Sequence, residues 1–481
     1  MLNIDQTIDQ AFQPIARFVS EAVFYSVSIG GSDLPLIVVW LIAGATFFSI
    51  YLGFINVRGL GHALRIVRGK EDDIDDPGEV SHFQALTAAV SGTVGVGNIA
   101  HVAVAVSIGG PGAAFWMVMA GFLGMASKFA ECTLGVKYRQ ENPDGSISGG
   151  PMFFLHRGLA QLGWPRAGRG LAIYYAICVV GGSIGVGMFQ SNQAFVQFVA
   201  ATGGEESVIA ESGWLFGIVL SVFVGLVIMG GIQSIARVTA KLVPFMAAIY
   251  IGTALFVILA NADRIPAGLL AIVRGAFEPE GMAGGVLGIV VLGFRRAAFS
   301  NEAGIGSSSI AHAAVKTREP LTQGFVAMLE PLIDTIIVCS ITALVIVTAF
   351  EPGSIATGEI NGVELTSAAF EQVLPWFPSV LSLVVLLFAY STLITWSYYG
   401  LEGLIYLVGP SPGVRWTFNI FYCLCAVIGC TTTLATILEF SDSMIFAMAL
   451  ANLIGLYCLA PGLRRDLKTY WSGIQARKDK I

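Results

Sequence analysis

The sequence predicts an all-α, polytopic membrane protein of about eleven transmembrane helices, built as two five-helix repeats of inverted topology preceded by one extra helix. Three observations carry this expectation. Charged residues make up 12% of the 481 and hydrophobic residues 55%, against about 25% charged in ordinary soluble domains. Mostly apolar runs of about 20 residues, long enough to cross the hydrocarbon core, recur along the chain. Two of those runs are interrupted by small and polar residues, at corresponding places in the two halves.

The runs fall at residues 35–56, 84–107, 112–136, 171–200, 213–230, 239–260, 283–312, 322–349, 378–408, 416–437 and 442–461. Lys and Arg set the orientation. With the first loop cytoplasmic, 20 lie on that side, 3 on the other (Arg17, Arg264 and Arg274) and 3 within spans (Lys128, Arg295 and Arg296). The opposite loops are acidic, with Glu205, Glu206, Glu211, Glu351, Glu359, Glu364 and Glu371. The N-terminus is thus expected outside and the C-terminus inside a bacterial-type cytoplasmic (inner) membrane.

Residues 1–34 read as an extracytoplasmic segment. Ile4, Ile8, Phe12 and Ile15 are spaced for an amphipathic helix on the membrane surface, and the stretch lacks the basic n-region of a secretory signal. Residues 35–56 form the extra helix, 84–260 the first repeat, 283–461 the second and 462–481 a basic cytoplasmic tail. The run Glu71–Glu79 is a solvated charged loop. The seven cysteines lie in or beside apolar runs, as buried free thiols do. An overall charge of −6 gives no reason to expect nucleic-acid binding, and the basic loops suit anionic lipid heads.

The interruptions carry the functional signal. The second run contains SGTVGVGNIAH, Ser91 to His101, and the seventh is broken by Gly293, Arg295-Arg296 and SNEAGIGSS. A backbone group left unpaired in lipid costs several kcal/mol. Such breaks persist only where protein, ion or ligand answers the freed groups. Paired discontinuous helices in two inverted halves point to the binding site of a secondary transporter. Half-helix N-termini suit a carboxylate and freed carbonyls suit a small cation, which together fit a zwitterionic amino acid and a metal ion.

At these residues the chain resembles the alanine or glycine:cation symporters, also called sodium:alanine symporters. The resemblance runs from about residue 35 to 465. It is carried by TVGVGNIA (93–100), GGPGAAFW (109–116), MASKFAE (125–131), FQSN (189–192), FSNEAGIGS (299–307), IDTIIVCSITAL (333–344) and FAYSTLITWSYYG (388–400). It implies a LeuT-type fold and sodium-driven uptake of alanine or glycine by alternating access, with no cofactor beyond Na+ as the coupling ion. By this resemblance the substrate meets Thr93, Gly95, Asn98, Gln190, Gly293, Thr392 and Trp396. Sodium meets the backbone oxygens of Ser91, Val94 and Phe388 and the hydroxyls of Ser391 and Thr392.

His101 stands where relatives carry a small residue, and would narrow or charge the outer vestibule. The other four histidines lie in cytoplasmic loops or at span ends. Thr395 and Ala297 replace glycines of the family pattern, and Leu401 precedes Glu402. Among ionisable residues in spans, Lys128 and Glu131 are spaced to pair. Arg295 or Arg296 is expected to pair with Glu302 or Asp334 as a cytoplasmic gate. A channel would need a continuous polar pore. An intramembrane enzyme would need a catalytic pair, which the sequence does not offer. Proton coupling and a different small zwitterion remain the alternatives.

Overall fold

The computed structural model describes residues 4–29, 32–70, 76–278, 285–350 and 362–478. The start of the charged run at Glu71, and Glu351 and Glu359 of the acidic loop, lie outside these. Helices α1 (Ile4–Val23) and α2 (Leu36–Tyr51) are linked through antiparallel strands β1 (Ser26–Ile29) and β2 (Ser32–Pro35). Then come α3 (His82–Thr93), α4 (Gly97–Gly109), α5 (Gly112–Lys137), α6 (Pro165–Ala201), α7 (Gly213–Ile228), α8 (Gly231–Ala260) and α9 (Ile265–Phe277). The second half holds α10 (Gly285–Asn301), α11 (Ser308–His312), α12 (Pro320–Ala349), α13 (Val363–Glu371), α14 (Phe377–Val408), α15 (Pro412–Gly429) and α16 (Leu434–Lys478).

Local chemistry explains where these helices start. Ser81 caps α3 in a capping box, its hydroxyl accepting from the Gln84 amide while the Gln84 side chain accepts from the Ser81 amide. Proline sits in the first turn of α6, α12, α14 and α15, where its missing N–H costs nothing. Gly110, with φ 65°, turns the chain between α4 and α5.

Among the described residues six helices (α5, α6, α8, α12, α14 and α16) are long and apolar enough to cross a membrane. Two bent pairs pass the same test: α2 with Ile55–Gly69, at 62°, and α3 with α4, at 43°. On α7 and α8 the side chains of Trp214, Phe223, Leu226, Phe245, Phe256 and Leu259 are exposed, as lipid-facing surfaces are. The chain is an all-α, multi-pass membrane protein.

Several boundaries differ from expectation, among them the starts of α8 at Gly231 and of α16 at Leu434. The seventh run is unbroken through Gly293 and breaks later, after Asn301. The run expected at 416–437 ends at Gly429, where Gly429 packs against the backbone of Met188. The expected tail is a helical continuation of α16 as far as Lys478.

Packing sets the two broken runs side by side. Helix α4 lies against α10 and α3 against α11, so the runs are antiparallel and their breaks are level. Around them α6 packs along α14 and α16, and α5 packs against α10 and α12.

At the end that carries the basic loops, the segment before α3 is tied to the segment after α11. Val80 and Val315 form a parallel bridge, with Lys316 N–H donating to Val80 O (2.8 Å) and Thr317 N–H to Pro77 O (3.2 Å). Arg139 clamps both segments. One guanidinium nitrogen donates to Ala313 O (2.9 Å) and Val315 O (2.6 Å), the other to Pro77 O (2.7 Å) and Thr317 O (3.0 Å). Hydrogen bonds to charged groups contribute about 1.5–3 kcal/mol each, less than additively. Arg139→Ala is therefore expected to destabilise the protein by about 2–4 kcal/mol. Arg139→Lys, a point charge without the planar fork, should restore less than half of the loss in thermal unfolding of the purified protein.

Candidate substrate and cation site at the two helix breaks

The first break spans Val94–Val96, between α3 and α4. Val94 leaves the helix with ψ at 92°, which frees carbonyls of the last turn of α3. Helix α14 answers the last two turns of α3 with a row of donors. Thr395 Oγ1 donates to Ala88 O (3.2 Å), Thr392 Oγ1 to Ser91 O (2.9 Å) and Trp396 Nε1 to Gly92 O (3.2 Å). Thr392, Thr395 and Trp396 share one helix face by their i, i+3 and i+4 spacing. Thr395 also meets the Ser91 hydroxyl at 2.5 Å, so the residue replacing the pattern's glycine is built into this contact.

Gly95 is the point of closest approach. A Cβ there would stand 2.7 Å from Thr392 Oγ1 and 3.0 Å from Gln190 Nε2. The structure thus brings Gly95, Gln190 and Thr392 together, with Trp396 fully buried one turn further along α14. Gln190 turns Nε2 towards Gly95, and its Oε1 is buried without a partner. Thr93 is also buried nearby, its hydroxyl turned back onto Val90 O (3.2 Å).

Four of the five oxygens expected to meet a cation are linked by short distances. Thr392 Oγ1 is 2.9 Å from Ser91 O and 3.1 Å from Phe388 O, and Ser391 Oγ is 2.9 Å from Phe388 O. These are neutral, hard oxygen donors from two helices, the set that suits a hard cation. Val94 follows on the same unwound turn, its amide donating to Val90 O (2.7 Å).

Asn98 ties the unwound turn to α10 and α12. Its Oδ1 accepts from the Gly95 amide (3.0 Å), while Nδ2 donates to Asp334 Oδ1 (2.6 Å), Asp334 O (3.1 Å) and Ser300 Oγ (3.2 Å). The amide is fully engaged within the protein, because the unwound turn would otherwise leave the Gly95 N–H unpaired. Asp334 lies in a π-helical stretch of α12, Leu332–Cys339, a form often found at functional sites. Its carboxylate also accepts from Ser300 and Thr335, both at 2.7 Å. One buried residue thereby joins α4, α10 and α12.

The second break covers Glu302–Ser307. Glu302 (φ 55°), Gly304 (φ 89°) and Gly306 (φ 90°) take left-handed conformations, and Glu302 does so without glycine's freedom. The freed groups are answered from three helices. Gly304 N–H donates to Glu131 Oε1 (2.6 Å), Asn452 Nδ2 to Gly304 O (2.8 Å) and Tyr175 OH to Ile305 O (3.1 Å).

Gly293 is not part of this site. It lies inside α10, where a Cβ would be 2.6 Å from Trp116 Cβ, so it serves close helix packing. The expected basic gate is also displaced. Arg295 stacks over the Phe24 ring at 4.3 Å and faces Asp442 Oδ2 at 3.7 Å. Glu302 accepts from Ser307 instead, and Asp334 from Asn98, Ser300 and Thr335. Arg295 is thus engaged by Phe24 and Asp442, and among the described residues it makes no ion pair with Glu302. Arg296 is part-buried beside it, with Nε unpartnered. His101 is buried between Phe299 (ring centroids 4.3 Å) and Phe189 (6.0 Å), with Nδ1 unpartnered. Three rings thus cover the first break on the side of α1 and Asp442, away from the basic loops.

A profile of the sodium:alanine symporter family matches residues 19–481. The chain belongs to that family. It is a transporter, not an enzyme. It is 37% identical over 437 residues (91% of this chain and 94% of the relative) to the sodium/alanine symporter AgcS of Methanococcus maripaludis. It is 32% identical over 448 residues (93% and 90%) to the probable sodium/glutamine symporter GlnT of Bacillus subtilis. It is also 32% identical over 450 residues (90% and 89%) to that organism's putative sodium/proton-dependent alanine carrier protein YrbD.

In this family member the expected pairing of Lys128 with Glu131 does not occur. Lys128, fully buried, lies 3.2 Å from Glu330 Oε2 and donates to Ser308, because Glu131 is already held by Gly304 and Asn452. His312 meets Glu330 Oε1 at 2.5 Å and the Gln323 amide, which in turn meets His82 Nδ1 at 2.5 Å. The sequence reading gave His82 and His312 no chemistry, yet both join this buried network. It also passed over Ser300 and Asn301 as individual residues, although SNEAGIGSS was the signal that marked them.

Two glycines separate site from scaffold. Gly95→Ala is expected to reduce substrate uptake at least about tenfold, roughly 1.4 kcal/mol, with little change in thermal unfolding. Gly293→Ala should lower stability by about 1–3 kcal/mol through overpacking. Parallel transport and unfolding measurements on the two variants check both.

Proposed function

We propose that this family member is a sodium-coupled symporter of a small neutral amino acid, of the alanine or glycine class. It works by alternating access within a LeuT-type arrangement of eleven spans. In this reading the basic end faces the cytoplasm of a bacterial-type inner membrane. The observation that carries the proposal is the convergence of Gly95, Gln190 and Thr392 on the unwound first break. Relatives named for sodium with alanine support the choice of ion and substrate class.

Gln190 supplies an unpaired acceptor for the substrate's ammonium, and the free N–H groups of the unwound turn suit its carboxylate. Trp396, pinned to Gly92 O, limits the room for a side chain. Ser91, Val94 and Phe388 offer carbonyls, and Ser391 and Thr392 offer hydroxyls, to sodium. When sodium binds, the Thr392 hydroxyl turns its lone pairs to the ion and gives up its bond to Ser91 O. Ion binding therefore reorganises the last turn of α3, which links the ion to the substrate contacts at Gly95. Asn98 is a positioning residue that holds the unwound turn on Asp334. Arg295 and Asp442, with the His101–Phe189–Phe299 rings, form the outer closure, and the Arg139 clamp forms the inner one.

Uptake of labelled alanine and glycine into proteoliposomes tests the proposal. An inward sodium gradient should drive accumulation, and a proton gradient alone should not. Thr392→Val keeps the shape but removes the hydroxyl, and should raise the sodium concentration for half-maximal uptake by about tenfold or more. Uptake driven by protons alone, or a Thr392→Val variant with unchanged sodium dependence, would contradict the assignment.

A further inference from the structure

The second break is surrounded by more acid than base. Lys128 and Glu330 form a neutral pair at 3.2 Å. His312 meets the Gln323 amide through Nδ1 and Glu330 Oε1 through Nε2. With both ring nitrogens used and Glu330 already matched by Lys128, the nearby Cys132 thiol does not complete a metal set. Glu131 and Glu302 remain without a cation of their own.

Of the two, Glu131 is the less exposed to water. The residue is 0% accessible. Both of its donors, Gly304 N–H at 2.6 Å and Asn452 Nδ2 at 3.0 Å, go to Oε1, while Oε2 has no partner. Its own helix brings Lys128 and Cys132 towards it. The broken span brings Glu302 and His312, and α12 brings Glu330 and Asp334. The tyrosines Tyr175 of α6 and Tyr399 of α14 face the same cluster. Among these groups one ammonium stands against four carboxyls. A bare carboxylate oxygen in such an interior is costly, and neighbouring like charges favour retention of a proton.

We propose that Glu131 Oε2 is a proton-binding site, separate from the pocket at the first break, whose occupancy is linked to the conformation of the second break. A hydronium ion from the solvent transfers its proton to the Oε2 lone pair, leaving water, before the break closes as seen here. When Gly304 and Asn452 withdraw and water enters, the solvated carboxylate releases it. Because binding free energies are reciprocal, substrate affinity and proton affinity then shift one another. This rests on the symporter reading for the substrate half of the linkage, but the proton site itself is separately observable.

Two measurements on the purified full-length protein test it. In the first, infrared difference spectra between about pH 5.5 and 8.5 follow the C=O stretch of a protonated carboxyl. The wild type should show a titrating band that Glu131→Gln removes and Glu302→Gln keeps. In the second, equilibrium binding of labelled alanine at saturating sodium is measured over the same range. The wild type should vary by up to about tenfold per pH unit, and Glu131→Gln should be flat within about twofold. Asn452→Leu, which removes a donor to the carboxylate, should move the titration to higher pH and serves if Glu131→Gln does not fold. Absence of the band, a band lost only in Glu302→Gln, or a flat wild-type binding profile overturns the proposal. Failure of alanine to bind at any pH, with the band intact, counts against the substrate reading and leaves the proton site standing.

Discussion

Backbone N–H and C=O groups inside a membrane have no water to fall back on, and two unwound segments here place a number of them at the same depth. Everything around the breaks can be read as an answer to that constraint. Helix α14 donates three side-chain hydrogen bonds to the last two turns of α3. Glu131, Asn452 and Tyr175 answer the second break from α5, α16 and α6. Asn98 and Asp334 join the two breaks to one another through Ser300. An unpaired group would cost several kcal/mol, so these polar side chains are as structural as any apolar core, and the same groups are poised to trade partners with a ligand.

Much of this arrangement was legible in the chain. Apolar run length marked the long helices α5, α6, α8, α12, α14 and α16, because lipid thickness leaves little choice of length. Gly95 and the small, polar character of TVGVGN located the first break. The second was located only coarsely, since Gly293 and the paired arginines resemble a break as well as SNEAGIGSS does. What distinguishes them is packing: Gly293 is needed so that α10 can approach Trp116, and no sequence period records a neighbour 177 positions away. Partner choice among the buried ions was hidden for the same reason. Lys128 and Glu131 are spaced to pair on one helix, yet Glu330, from another helix, meets the ammonium while a backbone amide claims Glu131.

The two ends of the broken spans are closed by different physics. At the end near α1 the closure consists of rings and an ion contact: His101 between Phe189 and Phe299, and Arg295 between Phe24 and Asp442. Such contacts are short-ranged and separable by a modest shift of one helix. At the basic end, strand-like pairing and a guanidinium fork hold the closure. Parting the first would separate side chains, whereas parting the second would undo main-chain pairing.

The fork has one more consequence. All four oxygens that Arg139 grips are main-chain carbonyls, those of Pro77, Ala313, Val315 and Thr317. The clamp therefore recognises the course of the backbone and is indifferent to the side chains it passes over. Size is restricted where the two segments touch, since a Cβ on Gly78 would stand 2.3 Å from Val315 O. A single arginine in this way holds two segments together through their main chains alone.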